Sequence, residues 1–421
     1  MREGKRIKNY IIYCIPLFIL VILIWYHIRL SFDPILGNSN DRDTSANNPV
    51  SEKRDLIERL RSIGYLTGSA PASPKQNVTK YIKDKTYRGL NLYTSGHGPE
   101  AILIDMNGNI LHTWHLDIWS IWPDFRPFPG TNLHKYWRRA LLMENGDLFA
   151  IFTGIGLIKI DKNSKLIWDY PGDAHHDIFV APDGLIYIVK RIIHIVPEYN
   201  PRKPILEDFV CILNSEGQAL KCVSIFKAFK NSSYAFFLER AKPWGDIFHT
   251  NTIELLDRRL ASRSPAFKKG NVLLSILRLD TVCVIDMESE KIVWAVSGPW
   301  KEQHEPSILS NGNMLIFDNQ GLGKNSRVME VDPFTLEILW EYKGTKEHPF
   351  YSHDCGACAR LPNGNTLITE SNNGRAFEVT LEKQIVWEFF NPHRAGKKGE
   401  LIATLFDMVR LRPDFPTDWI D

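Results

Sequence analysis

The feature that most constrains this chain is a repeat that runs from Gly89 to the C-terminus. One unit consists of an apolar residue, an Asp or near equivalent, a turn, and a strand carrying an aromatic. It occurs as LIDMNGNILHTW, IKIDKNSKLIWDY, VIDMESEKIVWAV, EVDPFTLEILWEY and EVTLEKQIVWEFF, with a degenerate copy in CILNSEGQALKCV. The aromatic place is held by Trp114, Trp168, Trp294, Trp340 and Trp387, and by Cys222 in the degenerate copy. Each unit reads as a hairpin of two strands around turn residues. A second unit alternates with the first: a strand, Asn-Gly or Asp-Gly, and another strand. HHDIFVAPDGLIYIV, HEPSILSNGNMLIF and HDCGACARLPNGNTLIT are clear copies, and HKYWRRALLMENGDLFAI and HTNTIELL followed by KKGNVLLSI are looser ones. Two hairpins make a four-stranded blade, and six first units predict an all-β, six-bladed β-propeller over residues 89–421. Only five second units are visible, so the strand GLNLYTS near the N-terminus is expected to close the last blade as a clasp that removes sheet edges.

The five visible second units each open with a histidine: His134, His176 (preceded by His175), His249, His304 and His353. The first strand of a blade lines the central channel, so its start lies at one channel mouth. Five imidazoles converging there could donate hydrogen bonds, exchange protons, bind a metal or act as nucleophiles. A single such histidine has a plain structural reading as a strand-initiating residue bonded to the next blade's backbone. Five at one repeat position favour a site. Asn251 follows His249 by two residues and is expected on the same strand face. Arg278 ends VLLSILR, predicted to pair with the strand carrying His249. A guanidinium there would read a tetrahedral oxyanion through its fork, or else form an interblade salt bridge.

The formal net charge is +2, which argues against a nucleic-acid partner. Tyr10 to Tyr26 contains no charged residue and the apolar character extends to about Leu30, near the length needed to span a bilayer. No small-residue cleavage site follows, so residues 1–30 read as an uncleaved transmembrane signal anchor. Arg2, Lys5, Arg6 and Lys8 precede the span, which leaves the N-terminus cytoplasmic and the remainder in the periplasm, a lumen or the exterior. Residues 31–88 read as a polar stem with one amphipathic stretch at Glu52 to Leu66. Cys211 and Cys222 lie equidistant from a turn at Glu216-Gly217, where an oxidising compartment permits a disulfide. Cys355 and Cys358 read as buried thiols or a strained disulfide, not as a zinc site, because no second pair follows at finger spacing.

The set HHD, HTN, a strand ending in Arg, QHEP, LPNGNTLI and GRAFEVT, in this order along the blades, resembles the arylsulfate sulfotransferase (ASST) family from about Gly89 onward. The resemblance implies transfer of a sulfuryl group from a phenolic sulfate ester to a phenolic acceptor, without the nucleotide carrier PAPS or any other cofactor. It implies a sulfated histidine intermediate on His304, within Gln303-His304. His249 and Asn251 match the family's H-x-N element, Arg278 its sulfate-binding Arg and His176 an earlier catalytic His. Asn251 is expected to bind the substrate's sulfuryl oxygens as a donor, and His353, which has no clear counterpart, is also expected to bind substrate. The membrane anchor departs from soluble members of the family. Loops at Ile118 to Trp137 and Phe226 to Asp246 are rich in aromatics that could stack on phenols or fill the core. Two other readings stand beside this one: a metal-dependent propeller lyase or hydrolase with histidine ligands, and a non-catalytic binding or scaffold propeller.

Overall fold

The computed structural model describes residues 67–68, 70–128 and 131–420. The expected transmembrane helix and the amphipathic stretch lie outside the described residues. Among the described residues no helix is long and apolar enough to cross a membrane.

Six antiparallel sheets form the blades of a propeller. Blade 2 runs outward through Arg139–Leu142, Leu148–Phe152, Gly156–Ile160 and Leu166–Tyr170. Blade 3 contains Ala174–Val180, Ile186–His194, Ile205–Leu213 and Ala219–Ser224, and the short strand Gly245–Asp246 pairs in parallel with its third strand. Blade 4 is Thr250–Leu255, Val272–Ile276, Thr281–Asp286 and Lys291–Ser297, and blade 5 is His304–Ile308, Met314–Asp318, Arg327–Val331 and Ile338–Lys343. Blade 6 is Ala357–Arg360, Thr366–Glu370, Arg375–Val379 and Ile385–Phe390.

Blade 1 joins the two ends of the body and corrects the expected closure. Asn91–Ser95, within GLNLYTS, is its second strand, followed by Glu100–Ile104 and Ile110–His115. The innermost strand is Leu405–Arg410, from the C-terminal end. The sixth second unit is therefore split between distant parts of the chain, which is why only five were visible. Asn77–Tyr81, in the stretch read as stem, adds a fifth strand outside Ile385–Phe390 and covers that edge.

The physical cause of the repeat is visible in each blade. The Asp of the first unit accepts backbone N–H groups of its own turn: Asp105 from Asn107 and Asn109, Asp161 from Asn163 and Lys165, Asp332 from Phe334 and Thr335. The Asn-Gly and Asp-Gly turns place Gly146, Gly184, Gly312 and Gly364 at φ between 84° and 89°, where a side chain would be strained. The outer-strand tryptophans staple neighbouring blades. Trp114, Trp168, Trp340 and Trp387 donate Nε1–H to the carbonyls of Gly146, Ser215, Leu381 and Met106, each in a turn of the next blade. Blade 4 packs Trp294 against Phe267 and Phe334. In blade 3 the place of Trp is taken by Cys222, which forms a disulfide with Cys211 directly opposite it. The apolar core is divided accordingly: six buried clusters, one between each pair of adjacent blades.

Arg139 closes the centre. It bonds Asp177 of blade 3 and Asp407 of blade 1, both at 2.8 Å, and Glu305 of blade 5 at 3.0 Å. Asp177 also accepts the Ile253 N–H of blade 4, and the Cys358 thiol of blade 6 donates to the Glu305 carbonyl. One half-buried cation and the residues it bonds thus link all six blades.

Candidate active site

The starts of the inner strands of blades 3, 4 and 5 share a distortion. Each ladder shifts register there, at Ile188/Val189, Thr250/Thr252 and His304/Ser307 respectively. His176, His249 and Glu305 adopt left-handed backbone, with φ of 61°, 51° and 47°. Bulges re-aim side chains, and left-handed non-glycine residues persist only where the surroundings hold them. The distortion turns His176, His249 and His304 into the mouth, where all three are buried.

His304 has a defined tautomer. Asn319 donates its amide N–H groups to the carbonyls of Ser352 and Cys355, so its Oδ1 must accept. That oxygen lies 2.8 Å from His304 Nδ1, and the Glu302 carbonyl lies 3.2 Å from the same atom. Nδ1 therefore carries the proton and Nε2 the lone pair. Nε2 is buried without a protein hydrogen-bond partner. Burial pushes the His304 pKa down to about 3, against the opposing pull of Asn319, and the nearby Arg138 guanidinium adds to the fall. The ring is a neutral base with its reactive nitrogen unshielded by hydrogen bonding.

A small cleft is lined by His304, His249, Arg278, Glu302, His353 and Cys355, among others. Arg278 sits in the turn between the second and third strands of blade 4. Its Nε is 3.5 Å from Asp246 and its Nη1 is 3.9 Å from Glu302, distances too long for a closed bidentate pair. The guanidinium keeps donor capacity for an anion. The Glu302 carboxylate on the same cleft works against one, and its charge is partly met by the Gln320 amide at 2.6 Å.

Behind His249 lies a chain of imidazoles. His249 Nδ1 is 2.5 Å from Asp246, and its Nε2 is 3.1 Å from His176 Nε2. His176 Nδ1 is 2.5 Å from His175 Nδ1, and His175 Nε2 is 3.4 Å from Asp208. Burial lowers the pKa of His175 to about 4 and holds His176 well below the imidazole range. Burial alone would raise Asp246, but His249, Arg191 and Arg278 outweigh it and hold the carboxyl well below the usual range.

The structure thus brings His176, His249, Arg278 and His304 together, in two groups that meet at the cleft. His353 lies on the exposed rim and bonds Asp354 at 2.8 Å. Asn251 departs from the expected alternation because the bulge intervenes: its amide donates to the Gln303 carbonyl of blade 5, bracing the residue before His304. His134 does not join the ring. It lies in a short 3-10 turn with its imidazole between Trp119 and Phe125. The aromatics of the two long loops mostly fill the core, as Phe226, Phe229, Phe237 and Trp137 show. Cys355 and Cys358 are buried thiols. Asn319, Asp246, Asp208 and Arg138 were not legible as site residues, because each is an ordinary polar residue outside any motif. Among the described residues, no three His, Cys, Asp or Glu side chains are arranged to hold a metal ion.

Six blades joined through Arg139, with a neutral imidazole and a guanidinium on one cleft, define a propeller carrying a polar, nucleophile-type site. The sequence profile of the family Arylsulfotransferase (ASST) matches residues 139–392, more than half of the chain and all of blades 2 to 6. The chain belongs to that family, whose members are aryl sulfotransferases. No curated protein sequence matches it. Among solved structures, a protein of unknown function from Bacteroides caccae is 12% identical, with 77% of this chain and 99% of that chain covered and a TM-score of 0.48. A streptogramin B lyase is 13% identical, with 82% and 95% covered and a TM-score of 0.43. Neither likeness carries a functional argument.

Proposed function

We propose that this protein moves a sulfuryl group from a phenolic sulfate ester to a phenolic acceptor through a covalent intermediate on His304, without PAPS or another cofactor, at the outer face of a membrane to which residues 1–30 tether it. The observation that carries the reading is the His304 tautomer: Nδ1–H is spent on Asn319 and Glu302, which leaves the lone pair on Nε2 of a ring that lines a cleft with Arg278.

In the first half-reaction Nε2 attacks sulfur in line with the departing phenolate oxygen. The N–S bond forms as the S–O bond breaks, and charge spreads over three sulfuryl oxygens. As in phosphoryl transfer, catalysis then rests on positioning and electrostatic stabilisation. Arg278 supplies the cation at the cleft wall, and His249 supplies a proton-exchanging group. His176 acts through His249, Asn251 through the backbone of Gln303, and His353 meets the substrate at the rim. In the second half-reaction the acceptor phenol oxygen attacks sulfur and the electron pair returns to Nε2.

Intact-mass analysis after brief exposure to 4-nitrophenyl sulfate tests the reading. A gain of about 80 Da that is discharged by a phenol and absent from His304→Ala is the expected result. A folded protein that gains no mass from any aryl sulfate ester would sink it.

A further inference from the structure

The cleft that His304 lines is small, and its walls carry more negative than positive charge. It encloses about 40 Å³, whereas a cavity that takes up benzene measures on the order of 150 Å³. An aromatic ring does not fit there. The donor's phenolate leaves, and the acceptor's oxygen arrives, on the side of sulfur opposite the imidazole. Both rings therefore lie outward, at the rim. Among the residues lining the cleft, Arg278 is the one guanidinium and no lysine is present, while Glu302 and Asp354 bring two carboxylates. His304 is 2% exposed, and its Nε2 has no protein hydrogen-bond partner. Glu302 is fixed in place: its N–H bonds Asp280 at 2.7 Å, and Gln320 Nε2 holds its Oε2 at 2.6 Å. The same Gln320 nitrogen lies 3.3 Å from the His353 carbonyl, which sets Glu302 beside the segment carrying Asp354. Glu302 Oε1 stands 3.9 Å from Arg278 and is not closed into an ion pair. Asp354 is exposed and shares its Oδ1 with His353. The Tyr351 ring meets His353 edge-on, with 6.4 Å between centroids. Burial, and after it the charges of Asp354 and Glu302, push the Tyr351 hydroxyl above its ordinary range, in keeping with two carboxylates near that ring.

We propose that this rim selects phenols, and their sulfate esters, that carry a protonated amine on the side chain, with Glu302 and Asp354 as the specificity-determining carboxylates. The inference rests on the function proposed above and names the substrate class of that site. Walls of this charge repel a plain aryl sulfate, which is an anion with nothing to offset it. They suit a molecule whose sulfuryl end meets Arg278 and whose far end is a cation. The ammonium lies with the two carboxylates and close to the Tyr351 ring, since an aromatic face attracts a cation. A carboxylate at the same place on the substrate meets like charge and is rejected. One exposed ion pair contributes little, so the preference depends on both carboxylates acting together.

The full-length chain is loaded with 4-nitrophenyl sulfate, freed of donor, and mixed at pH 7 with tyramine, 4-ethylphenol or 3-(4-hydroxyphenyl)propionate, phenols of similar acidity. Loss of the His304 adduct is timed by intact mass. Tyramine, an ammonium at this pH, is expected to discharge the adduct about tenfold faster than 4-ethylphenol, and the propionate more slowly than either. In Glu302→Gln the ratio of tyramine to 4-ethylphenol rates is expected to fall to about two, and Asp354→Asn lowers it in the same direction. The ratio is read within one variant, so a change in absolute rate does not disturb it. Should Glu302→Gln form no adduct, Asp354→Asn, at an exposed position, carries the test. Equal discharge by tyramine and 4-ethylphenol in the wild type would overturn the inference, as would a ratio unmoved by substitution. A wild-type chain that forms no adduct removes the function itself.

Discussion

At the scale of single residues, the decisive pair is His304 and Asn319. The carboxamide is locked by two backbone carbonyls, so it can only accept from His304 Nδ1. Asn319→Ala frees the tautomer and is expected to slow adduct formation by about 10²-fold, read by quench-flow mass analysis, by analogy with other sites that lose an orienting acceptor. The acid limb follows from the burial of the ring. A base whose folded pKa is lowered stays uncharged above that value, here about 3, instead of charging near 6.5. With 4-nitrophenyl sulfate, adduct formation at pH 5 is therefore expected to match that at pH 7 within about twofold, whereas an exposed imidazole would be mostly protonated there. His304, His249 and Arg278 were legible as candidates because repeat position and charge type mark them. Asn319 and Asp246 were not, because what distinguishes them is a contact across 15 residues in one case and a three-residue approach through a strained turn in the other.

At the scale of elements, the blade hairpins are held by Asp-capped turns within a blade and by tryptophans between blades. Trp387 links blade 6 to blade 1, where the ring closes, and its Nε1–H satisfies the buried Met106 carbonyl. Trp387→Phe keeps most of the ring and is expected to cost about 1–2 kcal/mol through that orphaned acceptor, while Trp387→Ala is expected to cost about 3–5 kcal/mol. Urea denaturation followed by circular dichroism orders the two. The same repeat explains the sequence signature and its exception: Cys222 stands where Trp would, and it is bonded to Cys211 within blade 3 instead of reaching the next blade. Strand alternation failed as a guide only at the bulges. There His249 and Asn251, two apart, diverge to the cleft and to the neighbouring blade.

At the scale of the whole molecule, Arg139 is the joint on which the blades converge. Burial pushes Glu305 up to about 7, and Arg139 opposes that rise. A carboxyl whose folded pKa is raised adds stability below its unfolded value, and this is lost as pH rises through the folded one. Arg139→Leu leaves the buried Asp177 and Asp407 and the half-buried Glu305 without their cation. It is expected to destabilise by about 3–5 kcal/mol, more at pH 8 than at pH 5, measured by denaturant unfolding at the two values.

The sequence by itself determined the hairpin periodicity, the six-blade count and the family, because each is written in local pattern: turn residues at fixed offsets and an aromatic at a fixed place. Only the tertiary structure decided which histidines meet. Ring closure borrows Leu405–Arg410 from the far end of the chain for blade 1, and bulges rotate three inner-strand starts. A histidine's place in the repeat says which mouth it is near. Whether it reaches the cleft, as His304 does, or is held among aromatics, as His134 is, depends on backbone distortions and neighbours distant in sequence, which no local pattern encodes.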